Sequence, residues 1–168
     1  MGAAAHPQNL HRWWARRPLA AARAVIWASL VDDPSADERL SAEQQLLERE
    51  RLFGILERLV LWDSSMDEAV LAEARAEIER CFPDGAPPIL DPFGGGGAIP
   101  LEAQRLGLTA LSGDLNPVSV LTQRAMLEIP HRFAGAAPVN PEVSGPARSL
   151  VSYGFAPDLH LPRVWQWN

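Results

Sequence analysis

Asp91-Pro92-Phe93-Gly94-Gly95-Gly96-Gly97 combines a carboxylate with four consecutive glycines. A short apolar run, Ile89-Leu90, precedes it, and a helix-like stretch from Ile99 to Leu106 comes after it. At a strand-to-helix turn, glycines let the backbone approach a ligand closely and take up positive φ. The carboxylate can accept hydrogen bonds from ligand or backbone donors. A second carboxylate, Asp114, ends the next apolar stretch, in Gly113-Asp114-Leu115-Asn116-Pro117. It stands about 20 residues beyond the glycines, the distance that brings an acid to ribose hydroxyls in a βαβ unit.

Three nucleoside-cofactor chemistries use such a loop. A phosphate-gripping loop requires Gly-Lys-Ser/Thr. All fifteen basic residues of this chain are arginine, so that chemistry is excluded. A dinucleotide fingerprint requires G-x-G-x-x-G. Gly94 and Gly96 supply the first pair, but Ile99 occupies the third position. An S-adenosylmethionine site requires an acid and glycines at the first turn and a second acid after the next strand. Asp91 with Gly94 to Gly97, and then Asp114, supply both. Asp-Pro and glycine runs also occur in ordinary turns, and Asp114 alone would serve as a helix cap.

The elements that would position these residues can be read from the pattern. Residues 19–31 read as a helix ending before Asp32-Asp33-Pro34. A second helix is expected from Ser35 to about Trp62, with a break near Ser41; Ser35 with Glu38 and Ser41 with Gln44 both have capping-box spacing. Leu52, Ile55, Leu56, Leu59 and Val60 share its apolar face. A third helix is expected from a Ser65 cap with Glu68 to about Arg80. Arg39–Glu43 and Arg75–Glu79 have i,i+4 spacing. Strands are expected at Ile89–Asp91 and Leu108–Leu115. Pro100 suits the first turn of the helix between them and Gly107 its end. Glu102, one turn in, suits that helix's dipole. A last helix runs from an Asn116 cap to about Leu127.

The fold class is therefore α/β, a partial Rossmann-like parallel sheet preceded by N-terminal helices. The expected organisation is a helical region over 1–82, the first half of a cofactor-binding α/β domain over 83–133, and an irregular Pro/Gly-rich tail over 134–168. Two strands do not make a stable parallel sheet. Either the tail supplies more, or the chain is part of something larger.

Of 168 residues, 21 are acidic and 15 basic, a net charge of −6. Residues 1–30 carry +4, residues 32–82 carry −8 and the remainder −2. A net acidic chain is a poor general binder of nucleic acid, so only the N-terminal segment suits phosphates. The single cysteine, Cys81, excludes an intramolecular disulfide and a multi-cysteine zinc site. It reads as a small buried hydrophobe. His6 and His11 have no further ligand at metal spacing. No signal peptide or membrane-length apolar run is apparent, so a cytoplasmic protein is expected.

DPFGGGGAIPLEAQRLGL, then GDLNPVSV, resembles motif I and the next acidic motif of class I S-adenosylmethionine-dependent methyltransferases, in the form used by amino-methylating enzymes. HPQNLHRWWARRPLAAARAVIWASLVDDP resembles the N-terminal domain of unknown function that opens a family of large bacterial adenine-specific DNA methylases of zinc-ribbon type. The resemblance covers about residues 6–34 and 88–130. It implies methyl transfer from S-adenosylmethionine to the exocyclic amine of adenine in DNA. Carried over by position, Asp91, Phe93, Gly94 and Gly96 would form the cofactor turn, Asp114 would bind the ribose, and Asn116 would shape the rim near the adenine. Trp13, Trp14, Arg16 and Arg17 would fold over the crevice, as the segment before motif I does in related enzymes; Arg12, Arg16 and Arg17 on DNA phosphates is the competing use. Buried tryptophans and solvated arginines would be the plain structural outcome.

The chain departs from the pattern in two places. Amino-methyltransferases hold the target amine with Asn/Asp/Ser-Pro-Pro-aromatic. Asn116-Pro117-Val118, Asn140-Pro141-Glu142 and Pro87-Pro88-Ile89 all fail to match it. No cysteine-rich ribbon is present either. The chain is thus expected to be the N-terminal piece of a longer enzyme, with Trp165 and Trp167 packing on later parts of that enzyme, and no catalytic residue is assigned. Alone it would hold cofactor weakly or not at all, and would not methylate. The competing class is a non-catalytic or degenerate module that works with a complementing methyltransferase half; a nicotinamide-binding domain comes third.

Overall fold

The computed structural model describes residues 10–15, 17–61 and 67–134, together with the backbone of 163–166. Helix α1 spans Leu19–Leu30, α2 Ala42–Leu59 and α3 Glu68–Cys81. Strand β1 (Ile89–Asp91) leads through the glycine loop into α4 (Ala98–Arg105), then β2 (Ala110–Asp114) and α5 (Pro117–Gln123). A π-helical turn over Arg124–Glu128 joins α5 to the short α6, Ile129–Arg132. Strand β3 is Arg163–Gln166. The strands form one parallel sheet in the order β1-β2-β3. Asp91 aligns with Ser112, and Asp114 with Gln166. The fold is the α/β arrangement expected, a parallel sheet preceded by helices.

Local chemistry moved several boundaries. The stretch from Ser35 divides: Asp33 accepts from the Ser35 N–H and starts a single 3₁₀ turn over Pro34–Ala36. The long helix begins only after Ser41, whose hydroxyl and the Gln44 amide form a reciprocal capping box. For α3 the cap is Asp67, not Ser65, because its carboxylate accepts from both Ala69 and Val70 N–H. Residue 65 itself lies outside the described residues. The last helix was expected to end at about Leu127. It runs on to Arg132, since the π turn lets Ile129 N–H bond back to Arg124 before the proline is reached. The two i,i+4 pairs did not form. Arg39 instead grips Asp37, and Arg75 grips Glu68 and the Arg105 carbonyl. The tail, read as irregular, contains β3; the side chains of Trp165 and Trp167 lie outside the described residues.

One apolar cluster joins the N-terminal helices to the sheet. It includes Ile26, Trp27 and Leu30 of α1, Ile55 and Leu59 of α2, Leu71 and Ile78 of α3, Ala103 of α4 and Ala110 of β2. The Trp27 indole N–H is satisfied by the Ala74 carbonyl at 3.0 Å. A second tie is ionic. Arg23 of α1 donates to Glu102 of α4 at 2.5 Å and to the Leu59 carbonyl at 2.8 Å, and both charged side chains are fully buried. Glu102 also accepts from Arg105. It therefore binds α1 to the helix after the glycine loop, a use the dipole reading did not foresee.

Candidate cofactor site at the ends of β1 and β2

The loop after β1 is stitched to β2 at once: Gly94 N–H donates to the Gly113 carbonyl at 2.9 Å. Gly97 N–H then closes a tight turn onto Gly94 O at 2.8 Å. Gly95 and Gly97, at φ +49° and +77°, take the left-handed conformation the turn demands. Gly94 is buried for a different reason. A Cβ there would stand 2.3 Å from Ser112 Oγ and 2.5 Å from the Gln123 amide nitrogen. Gly96 is half-buried without positive φ, so the carried-over pair Gly94 and Gly96 does not coincide with the two left-handed positions.

Asp114 lies against this loop. One carboxylate oxygen accepts from Gly95 N–H at 2.8 Å and the other from Asn116 N–H at 2.8 Å. Burial works against its charge. The Asn116 and Gly95 backbone amides outweigh it and hold the carboxyl below the usual range. Asp91 goes the other way: burial raises it, and the nearby negative charge of Asp114 adds to the rise. The Phe93 N–H, 3.2 Å from Asp91, and the charge of Arg17 offset only part of that. The two carboxylates thus feel each other across adjacent parallel strand ends.

The N-terminal segment reaches the same place. Trp13 is half-buried, with its indole nitrogen 3.1 Å from where a Gly95 Cβ would stand. Trp14 is 94% exposed. Arg17 is exposed but close enough to attract Asp91. Arg16 lies outside the described residues. Phe93, at 80% exposed, and the exposed Asn116 sit on the rim; Asn116 caps α5 through Val118 N–H. Asp91, Gly94, Asp114, Trp13 and Arg17 are brought together, and Trp14 is not.

Three residues at the centre were not singled out from sequence. Ser112, Ser119 and Gln123 are buried polar side chains beneath the loop. The Ser119 hydroxyl donates to Gly95 O at 2.6 Å, and Gln123 bridges Ser112 and Ser119. The available signal was the i,i+4 spacing of Ser119 and Gln123 in a helix flanked by apolar residues.

An open concavity of about 930 Å³ lies among the helices, lined by residues that include Asp33, Asp37, Arg39, Glu48, Arg51 and Arg80. Those six side chains pair with one another or with Glu77 and Arg49. Cys81, at its edge, accepts weakly from Asp32 N–H at 3.4 Å. Among the described residues no group of three or more His, Cys, Asp or Glu stands close enough to hold a metal. His6 lies outside the described residues. No described helix is long and apolar enough to cross a membrane.

The groups at the loop fit a nucleoside cofactor. A carboxylate has about four acceptor positions, and the backbone donors to Asp114 leave two open for hydroxyls. The missing Cβ at Gly95 leaves a cradle beneath the Trp13 ring. The comparisons with known proteins agree with the resemblance read from the sequence. Residues 1–55 match the model of a protein family of unknown function, DUF1156. Residues 73–142 match the D12 class N6 adenine-specific DNA methyltransferase model. No curated protein and no solved structure matches the chain.

Proposed function

We propose that this chain, whose residues 73–142 match the D12 class N6 adenine-specific DNA methyltransferase model, is the cofactor-holding part of an enzyme that methylates the exocyclic amine of adenine in DNA. The observation that carries the reading is the convergence of Asp91, Asp114, the left-handed Gly95 and the Trp13 indole at one pair of strand ends. The cofactor is S-adenosylmethionine, which supplies an electrophilic methyl group when bound. Asp114 accepts the ribose hydroxyls with its spare lone pairs. Asp91, half-buried beside a second carboxylate, takes the cationic amino group of the methionine part, whose charge relieves that repulsion. Arg17 faces the methionine carboxylate. Trp13 shields the loop from water and stacks on the cofactor.

The chain's own part ends there. No Asn/Asp/Ser-Pro-Pro-aromatic motif is present to orient the target amine, so that function falls to further polypeptide. DNA is reached through the whole enzyme. The second reading, a binding module completed by a partner chain, is favoured by the exposed apolar side chains Leu90, Phe93, Leu115 and Leu121, each more than half exposed.

Calorimetric titration with S-adenosylmethionine and, separately, NAD tests the proposal. Weak saturable binding of S-adenosylmethionine with none of NAD is expected. Binding of NAD alone overturns it.

A further inference from the structure

Gly95 is gripped on both sides. Its N–H is held by Asp114, and its carbonyl accepts from Ser119 Oγ at 2.6 Å and Gln123 Nε2 at 3.3 Å. Gln123 is fully buried and its amide is engaged at both ends. The nitrogen also donates to Ser119 Oγ at 3.0 Å, and the oxygen accepts from Ser112 Oγ at 2.6 Å. The amide occupies the room that the missing Cβ of Gly94 creates. Glycine and glutamine are therefore a matched pair, since a side chain at 94 and an amide at 123 cannot coexist in this geometry.

We infer that Gln123, seconded by Ser119, is a positioning residue that fixes the glycine loop in its binding shape and so sets the affinity for the nucleoside cofactor. The inference rests on the cofactor reading above. A buried amide costs free energy unless all its groups are paired. An apolar side chain of the same length would fill the space beside Met126 and Ser112 without that cost. What the amide adds is a link from α5 to a loop of four glycines, whose backbone is otherwise the freest in the chain. A loop already held in shape spends less binding energy on ordering when its ligand arrives.

The test uses the whole chain with Gln123→Met, which keeps length but donates nothing and accepts only weakly, and with Ser119→Ala. S-adenosylmethionine affinity is measured by titration. Amide hydrogen exchange is measured separately at Gly95 and Gly97 and in the core at Ile55 and Leu127. Gln123→Met is expected to weaken binding about tenfold, the worth of about one net hydrogen bond. It should speed exchange at Gly95 and Gly97 while core protection stays within a few-fold of wild type. Ser119→Ala should do the same to a smaller degree, and it decides the matter alone if Gln123→Met fails to fold. Uniform loss of protection with unchanged affinity per folded molecule overturns the inference and leaves the cofactor reading standing. A wild-type chain that binds no S-adenosylmethionine overturns the cofactor reading. Unchanged exchange at Gly95 in both variants overturns the clamp itself.

Discussion

Replacing Glu102 by leucine removes the carboxylate that joins α1 to α4. Arg23 would then be left fully buried with only the Leu59 carbonyl as partner. Breaking a buried pair in this way costs about 3–5 kcal/mol, because the remaining charge keeps its desolvation penalty. The reverse change, Arg23→Met, is milder. Glu102 keeps Arg105, so the loss approaches that of one charge-assisted hydrogen bond, about 1.5–3 kcal/mol. In the double variant no buried charge is orphaned, and stability should return to near wild type. The two positions should therefore be strongly non-additive. Urea unfolding of the four proteins measures this directly. In a domain of ordinary stability Glu102→Leu alone would consume about a third or more of the total, and thermal melting should fall by about 10 °C. Because α1 directly continues the segment bearing Trp13 and Arg17, the same single change should weaken cofactor binding as well. A Glu102→Leu variant within about 0.5 kcal/mol of wild type, or a double variant equal to the sum of the singles, would refute the reasoning.

Trp13→Ala should weaken S-adenosylmethionine binding, while Trp14→Ala, at a side chain 94% exposed, should leave binding and melting temperature unchanged; equal effects of the two would remove Trp13 from the site. Gly94→Ala should cost about 1–3 kcal/mol by overpacking against Ser112 and Gln123, seen in chemical denaturation; a neutral result would mean the loop has room it does not show. Asp91→Asn should abolish cofactor binding yet raise stability at neutral pH. The folded-state carboxyl is pushed upward, so the native state favours the protonated form and loses stability as pH rises through that raised value. The advantage of asparagine should therefore shrink as pH is lowered, and melting curves at several pH values would expose an advantage that grows instead.

The loop and its two acids were legible because their chemistry is local. Asp-Pro before four glycines and an acid after the next strand specify a turn whatever surrounds it. Arg23–Glu102 was not legible, since nothing in either helix marks an arginine and a glutamate 79 residues apart as partners. Gln123 escaped for the same reason: its meaning depends on the empty space at Gly94, a relation between two elements. Trp13 and Trp14 are adjacent and chemically identical, and only packing separates the one on the loop from the one in solvent. Ser65 is not the cap of α3 because the Asp67 carboxylate, two residues on, reaches two N–H groups.

The account stands on a nucleoside cofactor bound across the ends of β1 and β2. Backbone amide spectra of the isotope-labelled chain, recorded during titration with S-adenosylmethionine, test this most directly. Saturable shifts at Gly94 to Gly97, Asp114 and the Trp13 indole N–H are predicted. Shifts confined to the helical concavity around Asp37 and Arg80, with the glycine amides unmoved at saturation, would contradict it.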